Sequence, residues 1–265
     1  KTPPMFRTLV RPLLANEFRR ARYVFRGADS MISTSKGFLE RASKQGGRGK
    51  RSSDDVFYLS QLAPQGHDHL ESERISLFRE CAADKVVFIF LGSFGYSCEL
   101  ELICEVAGRF NGDKHVLFAL AGDGYQREIV ARTEAELTNL IYLGWLNNDE
   151  VGDMMQLANV GLAPCKSDYD TVPNKISEYL SAGLPVISSL EGEVEKSLSL
   201  NEVGLSYRCG DADTLEQHIR TLSTNHVLRE KFAMNSTELF KREFDASSVY
   251  SAYADHVERV ARSPI

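Results

Sequence analysis

The feature that most constrains the fold is a repeat of short apolar runs, several of them closed by a glycine, separated by amphipathic stretches. Val86–Leu91 is β-branched or aromatic almost throughout and is followed by Gly92. Such a run is typical of a strand buried on both faces of a parallel sheet. Comparable runs follow at Val116–Leu120, Leu140–Leu143, Val160–Ala163, Pro185–Ser188 and Gly204–Tyr207. Because parallel strands need crossover helices, the pattern predicts an α/β fold with a Rossmann-like, doubly wound sheet of about six parallel strands.

The two ends of the chain differ from this repeat. After Asp211 the pattern predicts additional carboxyl-terminal helices, three in all. Residues 1–84 contain a basic helix, a few short strand candidates and a glycine-rich loop, which is too little for a complete domain. The chain opens with Lys1 rather than Met, so we expect a fragment of a longer protein.

Charge is distributed unevenly. The 265 residues carry a net charge of −6, which argues against a nucleic-acid partner because phosphate backbones require clustered cations. Residues 1–51 nevertheless hold 13 basic and three acidic side chains, a net charge of +10. This region is either a solvated helical face with its loop or a surface for anionic lipid headgroups or acidic ligands.

The cysteines and the apolar runs exclude other classes. Five cysteines without a C-x-x-C pair or zinc-ligand spacing predict buried thiols in a reducing compartment and no metal site. The longest strictly apolar run is far shorter than the roughly 20 residues of a membrane span.

The segment from Asp170 to Ile187 is the most informative for chemistry. It predicts a loop, a helix opened by Pro173, a glycine stop and a strand. Free backbone N–H groups at a helix start bind anions, especially phosphate. Lys175 in the first turn opposes the helix dipole, which suggests that an anion binds nearby. The alternative is an ordinary crossover helix with a surface lysine and glutamate.

This segment resembles the donor-binding signature of family 4 glycosyltransferases with the GT-B fold. Further matches in the same order are Gly27–Ser35, Ala121–Gly124, Leu143–Leu146 and Val160–Pro164. The resemblance covers about residues 85–260. It implies a nucleotide-sugar-binding Rossmann-like domain at 85–265 and, at 1–84, part of the amino-terminal, acceptor-side domain with a linker.

The resemblance also implies roles for individual residues. Glu178 matches the glutamate that holds the ribose, and Asp170 falls where the family has a second glutamate facing the donor sugar; these two are the candidate catalytic residues. Substrate-binding roles follow for Pro173, Asn174 and Lys175 beside the diphosphate, for Gly144 and Trp145 against the nucleobase, and for Gly122 and Gly124 in the donor cleft.

One loop departs from the family pattern. The family places Arg and Lys after the first strand of this domain, whereas Gly92–Ser97 contains no cation. Gly92, Ser93 and Gly95 still offer backbone N–H groups and a hydroxyl to a diphosphate. We hypothesise that Lys175 supplies the missing charge.

The resemblance implies retaining, metal-independent transfer of a hexose from a nucleotide-diphosphate sugar, by family habit a UDP-sugar, in glycan or polysaccharide biosynthesis. No cofactor is expected. Expected partners are the donor, a sugar or lipid-linked acceptor and the remainder of the amino-terminal domain. We expect a cytoplasmic protein, with residues 1–51 as candidate contact to the inner membrane face, and an isolated chain that binds donor but transfers sugar poorly.

Other functions remain open at this stage. A nucleotide-sugar epimerase of GT-B-like fold and a non-enzymatic interaction module are compatible with the pattern. An NAD-dependent Rossmann oxidoreductase requires G-x-G-x-x-G after the first strand, and the loop after Leu91 does not have that spacing.

Overall fold

The computed structural model describes residues 14–62, 72–166 and 171–262. These residues divide into two compact units, a larger one at 59–249 and a smaller one that combines 14–58 with 250–262. The domain boundary expected at 84/85 stays a prediction. No described helix is long and apolar enough to cross a membrane.

The described strands are β1 (Ile32–Ser33), β2 (Asp55–Val56), β3 (Val86–Leu91), β4 (Val116–Ala121), β5 (Leu140–Gly144), β6 (Val160–Ala163), β7 (Val186–Ser188) and β8 (Gly204–Ser206). The described helices are α1 (Ala15–Gly27), α2 (Lys36–Gly46), α3 (Glu73–Ala82), α4 (Leu100–Arg109), α5 (Arg127–Glu136), α6 (Asn148–Leu157), α7 (Asn174–Ser181), α8 (Glu193–Leu200), α9 (Ala212–Thr224), α10 (His226–Glu243) and α11 (Ala246–Arg262).

The larger unit is built on a six-stranded parallel sheet of order β5-β4-β3-β6-β7-β8. From β3 the chain winds outward to β5, then returns to β6 beside β3 and winds outward to β8. This confirms the predicted doubly wound α/β fold, and three helices follow the last strand as expected. The direction of winding reverses between β3 and β6, and ligands of such sheets bind beside that reversal at the carboxyl ends of the strands.

Aromatic packing fixes the register of the central strands. Phe88 on β3 pairs with Phe118 on β4 in the ladder, and their rings stack with centroids 5.8 Å apart. Both side chains are fully buried, as is Phe90 two residues further along β3. Because helices cover both faces of a doubly wound sheet, apolar residues occupy successive positions on these strands rather than alternate ones.

The smaller unit contains the parallel pair β1–β2 beside α2, and residues 250–262 of α11 belong to the same unit. The buried carboxylate of Asp54 accepts two hydrogen bonds of 2.8 Å from the Arg48 guanidinium. Burial alone would raise the pKa of Asp54, but hydrogen bonds from the Arg48 side chain and from backbone N–H groups lower it to about 2. On α11, His256 is 2% exposed and packs edge-on against Phe57.

Candidate functional site

A crevice of about 950 Å³ lies at the carboxyl ends of the central strands, beside the point where the winding reverses. Four predicted site residues line it: Gly92 after β3, Gly122 after β4, Trp145 after β5 and Glu178 on α7. They come from four separate segments of the sequence. The topology of the sheet therefore gathers them at one place, as the carboxyl-end rule predicts.

The glycine at position 122 is required by a close backbone approach. Its φ is +149°, and a Cβ built there would lie 1.9 Å from the carbonyl oxygen of Gly92. The N–H of Gly122 donates to the carbonyl of Gly144 at 2.8 Å, so three successive loops are joined by backbone contacts. Any side chain at 122 would separate the loops that form one wall of the crevice.

The loop after β3 is anchored from below by Phe94, whose side chain is fully buried against Phe90 and Tyr142. Gln126 at the start of α5 closes the loop from the side. Its amide nitrogen Nε2 donates to the carbonyls of Gly95 and Cys98 at 2.5 and 2.9 Å. The sequence analysis missed this role of Gln126, because a glutamine after a glycine turn carries no distinctive pattern.

Ser93 on the same loop is exposed, and the neighbouring Gly95 is partly exposed. The loop is held through Phe94, whose N–H donates to the Asp123 carbonyl at 2.8 Å, and through Cys98, whose N–H donates to the Gly95 carbonyl at 3.1 Å. These contacts hold the backbone on both sides of Ser93 and leave the residue exposed.

The start of α7 is accessible. Pro173 is its N-cap and provides no side-chain cap, and the next residue, Asn174, is exposed. The predicted helix opening is confirmed within one residue. A helix start without a side-chain cap presents backbone N–H groups that attract an anion.

Lys175 does not extend into solvent. Its Nζ donates to the carbonyl of Leu91 and lies 3.4 Å from the centroid of the Phe90 ring. Burial of the ammonium away from water lowers the pKa of Lys175 to about 8. The nearby charges of Cys98, Glu178 and Cys165 oppose this lowering. The ammonium lies 3.2 Å from the position that a Cβ would occupy on Gly92. A positive charge therefore lies beside the loop Gly92–Ser97, whose own sequence contains no cation.

Glu178 lies one helical turn after Asn174 and is half-buried in the crevice wall. Burial raises the pKa of its carboxyl, and the nearby Lys175 ammonium opposes that rise. The following residue, Tyr179, faces the opposite way and is fully buried. Its hydroxyl accepts from the N–H of Leu91 at 3.1 Å and donates toward the carbonyl of Leu162 at 3.2 Å, which fastens α7 to both β3 and β6.

Trp145 is 66% exposed and lies on the turn after β5. Gly144 precedes it with φ +65°, a conformation that a glycine adopts without strain. The carbonyls of this turn accept hydrogen bonds from Arg74 on α3, another contact that the sequence analysis did not anticipate. An Asn147–Glu150 capping box follows this turn at the start of α6, and the sequence analysis did not anticipate it.

The remaining predicted site residues have different positions. Seven predicted site residues that the structure describes are not among those lining the crevice: Ser93, Gly95, Gly124, Gly144, Pro173, Asn174 and Lys175. Asp170, the expected sugar-facing carboxylate, lies outside the described residues. The individual roles of all these residues stay predictions.

Comparison with known proteins identifies similar chains. The family model described as "Glycosyl transferases group 1" matches residues 85–225. A curated relative, the phosphatidyl-myo-inositol mannosyltransferase of Mycobacterium leprae (strain TN), is 26% identical over 180 residues, which is 66% of this chain and 47% of the relative. The chain thus spans about half the length of that relative.

Solved structures share the fold. Anabaena Alr3699/HepE in complex with UDP has a TM-score of 0.73 at 16% identity, covering 89% of this chain and 65% of that one. A glycosyltransferase from Rickettsia africae ESF-5 has a TM-score of 0.74 at 10% identity, covering 92% and 67%. Sucrose-phosphate synthase (tll1590) from Thermosynechococcus elongatus has a TM-score of 0.71 at 16% identity, covering 94% and 63%. These likenesses confirm the Rossmann-like fold of GT-B glycosyltransferases.

Proposed function

This chain belongs to the family glycosyl transferases group 1, and we propose that it binds a nucleotide-diphosphate sugar, a UDP-sugar by preference, for transfer of the hexose to an acceptor. The observation that carries the proposal is the meeting of Gly92, Gly122, Trp145 and Glu178 in one crevice, next to the accessible start of α7. The solved relative described above binds UDP, which supports a uridine donor.

The crevice suggests how each part of the donor is bound. The diphosphate lies between the loop after β3 and the start of α7, where backbone N–H groups and the Lys175 ammonium favour negative charge. The Glu178 carboxylate accepts hydrogen bonds from the ribose hydroxyls. Trp145 lies against the nucleobase, since its large exposed ring offers a flat surface on which a base stacks.

The same groups favour catalysis. When the glycosidic bond breaks, negative charge grows on the departing diphosphate, and donors fixed in advance stabilise that charge. Because Lys175 and the helix amides supply this stabilisation, we propose that transfer needs no metal ion. Retention of the anomeric configuration is proposed from the family resemblance alone. Protein treated with EDTA should bind UDP as tightly as untreated protein, and a large loss of affinity would overturn the metal-independent part.

Titration of UDP against tryptophan fluorescence tests the proposal directly. Trp145 is the single tryptophan of the sequence, so every change in the signal reports on the crevice. We expect UDP to change the emission and NAD to leave it unchanged. Glu178→Ala should weaken UDP by about tenfold, or ~1.4 kcal/mol, because the ribose loses its acceptor.

A matched control removes an equivalent carboxylate elsewhere. Glu105 on α4 is exposed and pairs with Arg109 on the surface, so Glu105→Ala should bind UDP like the wild type. Lack of any response to uridine, guanosine or adenosine diphosphates would contradict the proposed function. Product analysis then separates a transferase, which gives a glycosylated acceptor, from an epimerase, which gives a free epimer.

We also propose that the basic amino-terminal region contacts an anionic membrane face in the cell interior. No residue of α1 is buried, its Tyr23 and Phe18 side chains are 82% and 51% exposed, and arginines at 19, 20, 22 and 26 surround them. Exposed aromatics beside arginines suit the interface of an anionic bilayer. Sedimentation with phosphatidylserine vesicles but not phosphatidylcholine vesicles is expected; equal behaviour with both would refute this contact.

We propose that the acceptor is a sugar or a lipid-linked sugar, and that efficient transfer requires further residues of the amino-terminal, acceptor-side domain. The supporting observation is the lipid acceptor named for the curated mannosyltransferase relative. Robust transfer by the isolated 265-residue chain would contradict the second part.

A further inference from the structure

The turn that presents Trp145 is held by a side chain from a distant part of the sequence. Arg74 on α3 donates through Nη1 to the carbonyl of Leu143 at 2.8 Å and reaches the carbonyl of Trp145 at 3.3 Å. The indole itself is largely exposed and has little core packing to fix it. The position of the ring therefore depends mainly on its backbone, and Arg74 holds that backbone.

Arg74 is in turn oriented by a buried carboxylate. Its Nη2 lies 2.6 Å from each oxygen of Glu150, which is 7% exposed. Glu150 also receives a hydrogen bond of 3.0 Å from the N–H of Asn147 and one of 2.9 Å from the hydroxyl of Ser72. A single carboxylate therefore ties the starts of α3 and α6 to the turn between β5 and α6.

We propose that Arg74, oriented by Glu150, is a positioning residue that fixes Trp145 for contact with the nucleobase of the donor. The inference rests on the proposed nucleotide-sugar function of the crevice. Arg74 binds the backbone carbonyls of Leu143 and Trp145, on the side of the crevice proposed for the base, and the carboxylate of Glu150 at the start of α6. Its removal should therefore affect ligands that carry a base and spare those that do not.

Binding of two probes to Arg74→Gln tests this selectivity. UDP should bind about tenfold more weakly, whereas inorganic pyrophosphate, which lacks base and ribose, should change less than about twofold. Arg74→Lys keeps the positive charge but loses the planar fork that reaches a carboxylate and a carbonyl together. We expect it to recover only part of the UDP affinity.

Arg109 offers a matched control for the loss of an ion-paired arginine. Its guanidinium binds the carboxylates of Asp213, Glu216 and Glu105 at 2.7, 2.9 and 2.8 Å, on a surface formed by α4 and α9. Arg109→Gln should bind UDP and pyrophosphate as the wild type does. If Arg74→Gln does not fold, Glu150→Gln keeps the shape of the anchor, weakens its charge and should show the same selective loss.

The outcomes separate this inference from the function on which it rests. A wild type that binds no nucleotide defeats the proposed function. If the wild type binds UDP and the Arg74 and Glu150 variants bind it equally well, the positioning role is refuted. A parallel loss of UDP and pyrophosphate also defeats it, since a general loosening of the fold would weaken both. An altered acrylamide quenching of Trp145 in Arg74→Gln, with Arg109→Gln unchanged, supports it.

Discussion

Replacement of Lys175 by Met is expected to stabilise the protein at neutral pH and to weaken its binding of nucleotide diphosphates. In the native structure the Lys175 ammonium lies between the Leu91 carbonyl and the Phe90 ring. This arrangement replaces water with a single carbonyl and an aromatic face. A methionine of similar length fills the same space without a charge to desolvate.

The magnitude follows from the pKa. Burial lowers the pKa of Lys175 from 10.5 to about 8, a difference of ~3.4 kcal/mol between the charged and neutral forms. Below pH 8 the folded protein bears this cost. Methionine removes it but forfeits the contacts with the carbonyl and the ring, together worth about 2 kcal/mol. A net gain of about 1–2 kcal/mol in the free energy of unfolding at pH 7 is therefore expected.

The pH dependence gives a second signature. Between pH 8 and 10.5 the unfolded chain keeps the Lys175 proton while the folded chain releases it, so the stability of the wild type rises with pH in this window. The methionine variant lacks this contribution, and its advantage should shrink as pH passes from 8 to 10.5. The titratable groups that face the Lys175 ammonium are Cys98, Cys165 and Glu178.

Urea unfolding at pH 7 and pH 10 measures both effects, and UDP titration against Trp145 fluorescence measures the loss of affinity. Lys231→Met removes an exposed lysine that pairs with Glu202 and should leave UDP affinity unchanged. A methionine variant at position 175 that is less stable than the wild type at pH 7, or whose stability difference does not change with pH, would refute the reasoning.

Two further substitutions test the packing of the site by urea unfolding. Gly122→Ala places a Cβ 1.9 Å from the Gly92 carbonyl oxygen at φ +149° and should lower the free energy of unfolding by more than about 2 kcal/mol. Gly108→Ala meets open space in α4 and should be neutral or stabilising. Equal effects of the two substitutions would contradict the steric argument. Tyr179→Phe leaves the N–H of Leu91 without its acceptor in the core and should cost about 1–3 kcal/mol, and an unchanged unfolding free energy would show that the N–H finds another partner.

The strands of the sheet could be predicted from the sequence because each is marked by residues that are adjacent in the chain. Runs such as Val86–Leu91 contain only residues that suit a strand covered on both faces, and Gly92 follows this one directly. The carboxyl-end rule selects the residues that follow five of these runs as one candidate site, and the family resemblance adds Glu178. Gly92, Gly122, Trp145 and Glu178 line one crevice in the structure.

The rest depends on side chains that cross long distances in sequence. Lys175 reaches a carbonyl 84 residues earlier, and Arg74 reaches one 69 residues later. Long flexible side chains choose among many partners, and nothing in the local pattern selects one. The same holds for Phe94, which reads as a loop aromatic and becomes the anchor of its loop only because the core beneath it has space for a ring.

The reversal of winding between β3 and β6 has a consequence for how such a domain diversifies. The crevice between β3 and β6 results from the path of the chain, because β4 and β5 lie on one side of it and β7 and β8 on the other. No individual side chain creates this opening. Connections that leave these two strands can change in length or chemistry while the hydrophobic layers behind them stay intact. A lineage that keeps this scaffold is free to exchange one carbohydrate specificity for another by altering a handful of rim positions.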